Sequence, residues 1–141
     1  MPTKTAPKKK SPAKSAPKKA KPAAPVDPSR ALAQIIAQAA YDTKATDLVV
    51  LDLTKLSAFA DYFVIATGTS DRQVQAISDR IQDTLKKAGV RPLGVEGYQQ
   101  GHWILIDCAG VIAHIFYEGA RAFYGLDKLW GDAPKVKFAL K

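Results

Sequence analysis

The sequence has a single cysteine, Cys108, so no disulfide can close within the chain. Only two histidines, His102 and His114, stand beside it, and no zinc-ligand spacing can be assembled from that set. The composition fits a reducing compartment, the cytoplasm. Runs of about 20 apolar residues, which a membrane span requires, are missing. So is the apolar stretch of about 7–15 residues at the heart of a signal peptide. Repeated prolines near the start would break the amphipathic helix of a transit peptide, so neither address is expected. No internal repeat is visible.

Acid is almost absent from the first 27 residues. They hold eight lysines against Asp27 alone, a net of +7, whereas residues 28–141 hold 13 Lys+Arg against 12 Asp+Glu, a net of +1. The overall charge of +8 therefore belongs almost wholly to one end, and it does not make the rest of the chain a nucleic-acid binder. Seven of the nine prolines also fall within residues 1–28, and this stretch is nearly free of large apolar side chains. Ordering it would cost about 1–2 kcal/mol per residue in backbone entropy with little burial in return. The sequence thus predicts a disordered basic tail over 1–28, a single α/β domain over 29–134 and a C-terminal extension over 135–141. The tail's lysines either attract ribonucleic acid phosphates without reading sequence or simply keep the chain soluble.

Within the domain, Ser29 is a candidate N-cap for a helix whose Leu32, Ile35, Ile36, Ala39 and Ala40 form one stripe. Residues 48–53 and 62–67 are consecutive apolar runs, as in strands buried on both faces. Ser70 and Gln73 form a capping box for a second helix, with Val74, Ile77, Ile81 and Leu85 on its inner stripe and Gly89 as its stop. Residues 91–98 suggest a weak edge strand because of Pro92. Residues 102–107 and 111–116 flank Cys108-Ala109-Gly110, expected to be a hairpin loop with Gly110 in the left-handed region and 107 paired with 111. A last helix is expected over about 118–130, with Ala122, Phe123, Leu126, Leu129 and Trp130 along one side. The order α-β-β-α-β-β-β-α implies a mixed sheet of about five strands with flanking helices.

Four blocks carry a family likeness: DYFVIATGTSDRQVQAI at 61–77, GVEG at 94–97, WILIDCAGVIAHIF at 103–116 and RAFYGLDKLWGDA at 121–133. They resemble, in the same order, the signature blocks of the Iojap family of ribosomal silencing factors. The resemblance implies a nucleotidyltransferase-like α/β fold without transferase chemistry, and no cofactor. It implies docking on the large ribosomal subunit at its protein uL-fourteen, where the small subunit would join. Joining would then be blocked and translation lowered when nutrients are scarce. Organellar relatives act in ribosome assembly.

Two rival readings can be weighed on the residues. A nucleotidyltransferase would use Gly68, Ser70 and Asp107, but the paired carboxylates that hold its metal ions are missing after the second helix. An RNA-binding protein would work through the tail, against a domain that is nearly neutral. With 107 opposite 111, His114 and Asp107 fall on opposite faces, so no His–Asp dyad is expected and His114 reads as a structural histidine. Cys108 has no neighbouring cation to activate it.

Eight of the twelve aromatic residues lie between Tyr98 and Phe138. Aromatic and arginine side chains dominate interface hot spots. Phe116 and Phe123 are expected in the core, whereas Trp103 and Trp130, with Tyr124, are candidates for a partner-facing patch. Glu96, Asp107, Glu118 and Asp127 could form an acidic rim complementary to a basic ribosomal protein, or be ordinary solvated surface. Arg121 is either a rim contact or the partner of Glu118 one helical turn back. Monomer and homodimer both remain open.

Overall fold

A computed structural model describes residues 27–141, apart from the side chains of Ala122 and Phe123. The expected disorder of the tail falls, but for its last two residues, outside that range. Helix α1 spans Pro28–Asp42, and its N-cap is Asp27, not Ser29. The Asp27 carboxylate accepts the backbone N–H groups of Ser29 and Arg30, which a serine one residue inside the helix cannot reach. Ser29 instead donates its hydroxyl to Asp61 at 2.7 Å, and Tyr62 donates its own to Asp27 at 3.0 Å.

Strands β1 (Thr46–Asp52) and β2 (Tyr62–Gly68) follow, then α2 (Asp71–Lys87). Every residue of β2 is buried, as its unbroken apolar run requires. In α2 the Ser70 hydroxyl accepts the Gln73 N–H. The Gln73 side chain does not return to Ser70 but accepts from Thr69 and donates to the carbonyls of Thr43 and Lys44, so only half of the expected capping box forms. Val74, Ile77, Ile81 and Leu85 are fully buried, each worth about 1.5–3 kcal/mol against exposure. At the other end Gly89 bonds to Lys86 and Val90 to Leu85, closing the helix with a left-handed cap.

Strands β3 (Gly94–Glu96), β4 (Trp103–Asp107) and β5 (Val111–Tyr117) come next. Two short helices, α3 (Glu118–Tyr124) and α4 (Leu126–Leu129), lead into β6 (Lys135–Val136). Among the described residues the sheet has six strands in the order β3-β4-β5-β2-β1-β6, one strand more than the sequence suggests. Only the central pair β2–β5 is parallel; the other four pairings are antiparallel. Both α1 and α2 lie on one face, over a core that includes Ile36, Val64, Ile77, Ile81, Ile104 and Ile115.

The hairpin departs from expectation in one consequential way. Ala109, not Gly110, takes positive φ (66°), and the Asp107 carboxylate accepts its N–H at 2.9 Å. Gly110 is needed for room instead, since a Cβ there would sit 2.5 Å from the Ser29 hydroxyl. Asp107 consequently pairs with Ile112 rather than Val111. A slip of one residue turns every side chain of one strand to the other face. Trp103, Leu105 and Asp107 therefore share a face with Ile112, His114 and Phe116, so His114 and Asp107 are on the same side after all. The last helix is also split, at Gly125 (φ 64°), which buries Leu126 but turns Leu129 out to 75 % exposure. Phe116 is fully buried as expected, and the side chain of Phe123 lies outside the described residues.

Candidate docking face

The face opposite α1 and α2 is built by register. Across it run Glu96 and Leu105 of β3 and β4, His114 of β5, Ile65 of β2 and Val49 of β1, each opposite the next. A parallel row holds Trp103, Phe116 and Thr67. Another holds Gly94, Asp107, Ile112, Phe63 and Leu51. Under α4 and the turn after it, Leu51, Leu53, Phe63, Ile65, Phe116, Leu126 and Ala133 close into a second core. Towards β4 and β3 the cover gives out. Trp103, Leu105, Asp107 and Ile112 are only half-buried there, and Glu96 is exposed.

Trp103 sits at the edge of the cover. Its ring stacks on Phe116 at 5.0 Å, meets Tyr124 at 4.6 Å, and donates its Nε1–H to His114 Nδ1 at 3.1 Å. His114 is 4 % exposed, and burial drives its pKa down to about 4. Trp130 packs edge-on against Phe63 at 5.6 Å. Tyr124 extends the apolar surface outward beside Trp103.

The acids fare differently from one another. Glu96 and Glu118 are exposed, while the Asp107 carboxylate is engaged in its own turn. Asp127 takes both Nε (3.0 Å) and Nη2 (2.8 Å) of Arg121, which holds its carboxyl below the usual carboxylate range. Arg121 therefore pairs with Asp127 across the Gly125 break and not with Glu118, because the two-point fork to Asp127 takes both Nε and Nη2 of its guanidinium. The same guanidinium also donates to the Thr67 hydroxyl at 2.6 Å and to the Asp47 carbonyl, and so ties α3 and α4 to the sheet.

The residues of a nucleotidyltransferase reading do not meet. Gly68 lies level with Tyr117 and Asp107 level with Ile112, five rows apart or about 16 Å at about 3.3 Å per residue. The Ser70 hydroxyl is occupied as a cap. Among the described residues no group of three or more His, Cys, Asp or Glu could hold a metal ion, and no helix is long and apolar enough to cross a membrane. Cys108 is buried, its thiol pushed up to about 11 by burial and by Asp107 beside it.

The family model described as "Ribosomal silencing factor during starvation" (RsfS) matches residues 26–141. The chain belongs to the RsfS family. RsfS of Bacillus subtilis is 41% identical over 105 residues, covering 74% of this chain and 89% of its own length. The RsfS protein of Halalkalibacterium halodurans is 42% identical over 106 residues, 75% of this chain and 91% of its own. The chloroplast protein Iojap of Zea mays is 33% identical over 102 residues, 72% of this chain but 44% of that longer protein. Two crystal structures align with the fold. One, from Bacillus halodurans, gives a TM-score of 0.70 at 37% identity, covering 77% of this chain and 99% of that one. The other, from Chromobacterium violaceum, gives 0.72 at 34%, covering 80% and 93%. Within this RsfS fold, Glu96, Trp103 and Asp107 come to the face opposite the long helices. Tyr124 and Trp130 pack on that face, and Arg121 and Asp127 brace each other beside it. Sequence reasoning did not single out Leu105 and Ile112, because that they share this face with Trp103 depends on the hairpin register.

Proposed function

We propose that this protein silences ribosomes by docking on the large subunit with the face that carries Trp103 and filling space the small subunit needs. The observation that carries the reading is the half-covered apolar strip of Trp103, Leu105 and Ile112, flanked by Tyr124 and Trp130 and bordered by Glu96, on a chain of the RsfS family. Apolar patches edged by polar groups mark protein interfaces, and buried aromatic anchors supply most of their energy. The acids Glu96 and Glu118 suit a basic partner, and uL-fourteen of the large subunit is the one we assign. The protein acts in the cytoplasm, by occupancy rather than catalysis and without a cofactor, and lowers translation when nutrients are scarce. The +7 segment before residue 28 adds salt-dependent attraction to ribosomal RNA.

Sedimentation of purified subunits mixed with the protein tests this. Pre-binding should leave separate subunit peaks, with the protein in the large-subunit fractions, where controls form whole ribosomes. Protein left at the top of the gradient while subunits associate would sink the reading.

A further inference from the structure

Among the described residues, His114 alone has a buried side-chain polar atom with no partner, its Nε2. The other ring nitrogen accepts the Trp103 indole N–H, so the proton of the neutral ring must sit on Nε2. The imidazole ring lies among aromatic rings, Phe63 at 4.5 Å and Phe116 at 6.3 Å between centroids. A buried donor left unmade is a cost that a phenylalanine or leucine at the same place in the sheet would not carry. The return on it must come through Nδ1, whose partner is Trp103. Burial also keeps the ring neutral through the whole physiological range, so the Nδ1 lone pair is always there to accept.

The Trp103 side chain has one hydrogen-bond donor, and it points inward to His114. A tryptophan at the edge of an interface ordinarily spends that N–H on water or on the partner. Here Phe116 and Tyr124 fix the ring from two sides while His114 takes the N–H, and what is left facing outward is hydrocarbon. We infer that His114 is a positioning residue of the docking face: it holds the Trp103 indole and withdraws its donor, so that the partner group seated on Trp103 is an apolar side chain rather than a hydrogen-bond acceptor. The inference rests on the docking reading above and adds to it the chemistry of the contact.

The test pairs His114→Phe, His114→Gln and Trp103→Phe with large-subunit affinity and with solvent exchange of the Trp103 indole proton. In the unaltered protein that proton should exchange far more slowly than in free indole; exchange at the free rate overturns the inference without any variant. His114→Phe fills the space but removes the acceptor. It should release the indole proton and weaken binding by about 2- to 10-fold, the usual cost of ordering one large side chain on association. His114→Gln, whose side-chain oxygen can accept, should restore most of the affinity. In a Trp103→Phe background the His114→Phe change should do nothing further to binding, which separates positioning from general loosening of the fold. Equal weakening in both backgrounds, or His114→Phe binding like the parent, overturns the inference while leaving docking intact. A parent protein that fails to bind large subunits overturns the docking reading and this inference with it.

Discussion

Replacing Arg121 by alanine should cost the domain about 2–3 kcal/mol. The side chain is 12 % exposed and makes two hydrogen bonds to Asp127, one to the Thr67 hydroxyl and one to the Asp47 carbonyl. Hydrogen bonds to a charged group are worth about 1.5–3 kcal/mol each where water is excluded. The Asp127 carboxylate is 45 % exposed, so water would recover much of its share. Thr67 is 2 % exposed and would keep an orphaned hydroxyl, at a cost of about 1–3 kcal/mol. Chemical denaturation reads the result as a lower midpoint at unchanged slope. In a thermal scan the same loss, at about 4 °C per kcal/mol for a domain near this size, lowers Tm by about 8–12 °C. Asp127→Asn, which keeps the Thr67 and Asp47 contacts, should cost less than half as much. The Asp127 carboxyl lies lower in the folded than in the unfolded chain, so its contribution is present above the unfolded value and lost as pH falls through the folded one. A loss under about 0.5 kcal/mol for Arg121→Ala, the scatter of ordinary surface changes, would refute the assignment of Arg121 as the tie between α3, α4 and the sheet.

Four further outcomes are expected. Gly97→Ala should destabilise by more than about 3 kcal/mol, because φ is 81° and the new Cβ would lie 2.0 Å from the Trp103 carbonyl oxygen; an unchanged denaturation midpoint would contradict this. His114 titrates near 4 when folded against an ordinary 6.5, so its contribution is full above 6.5 and is lost as pH falls towards 4. Between pH 7 and 5 the unfolding free energy should drop by about 2 kcal/mol, and His114→Gln should remove that slope. Cys108 should resist a thiol reagent at pH 8 until the protein unfolds, since reaction needs the thiolate; rapid labelling of the native protein would refute it. Deleting residues 1–26 should flatten the salt dependence of large-subunit binding, and an unchanged slope would remove the tail from the interaction.

The fold was legible wherever one local signal acted alone. Val74, Ile77, Ile81 and Leu85 repeat at helical spacing, and β2 is an unbroken apolar run. Legibility failed where a side chain at a distance, or an uncommon backbone, made the choice. The hairpin register turns on Ala109 in the left-handed region with Asp107 capping it, an arrangement that a glycine next door conceals. Residues 135–136 are too short a strand to announce themselves, yet β6 pairs with β1, and Phe138 and Leu140 pack against the main core. Arg121 has an acid three residues back, but its actual partner Asp127 lies beyond a break in the helix. For the proposed docking face, composition pointed to Trp103 and Trp130 as large rings near element ends. That Trp103 shares a face with Leu105, Ile112 and His114 depended on the register, which composition could not supply.

The parallel pairing of β2 with β5 joins residues 49 positions apart, Tyr62 with Val111 and onward, while its flanking strands are hairpin neighbours. Closing that span is the entropic step that joins the two hairpins, and it is rewarded only once both strands are in place. The β1–β2 and β4–β5 pairs can each form early from local chain. The encounter of β2 with β5, supported by α2 packing across both, would then set the folding rate. Changes at Ile65 or Ala113, in the seam itself, should slow refolding, while changes at the outer strands β3 and β6 should mainly hasten unfolding. The strand that bears His114 would thus join its partner in the sheet's slow step, and the aromatic face would be the last surface to mature.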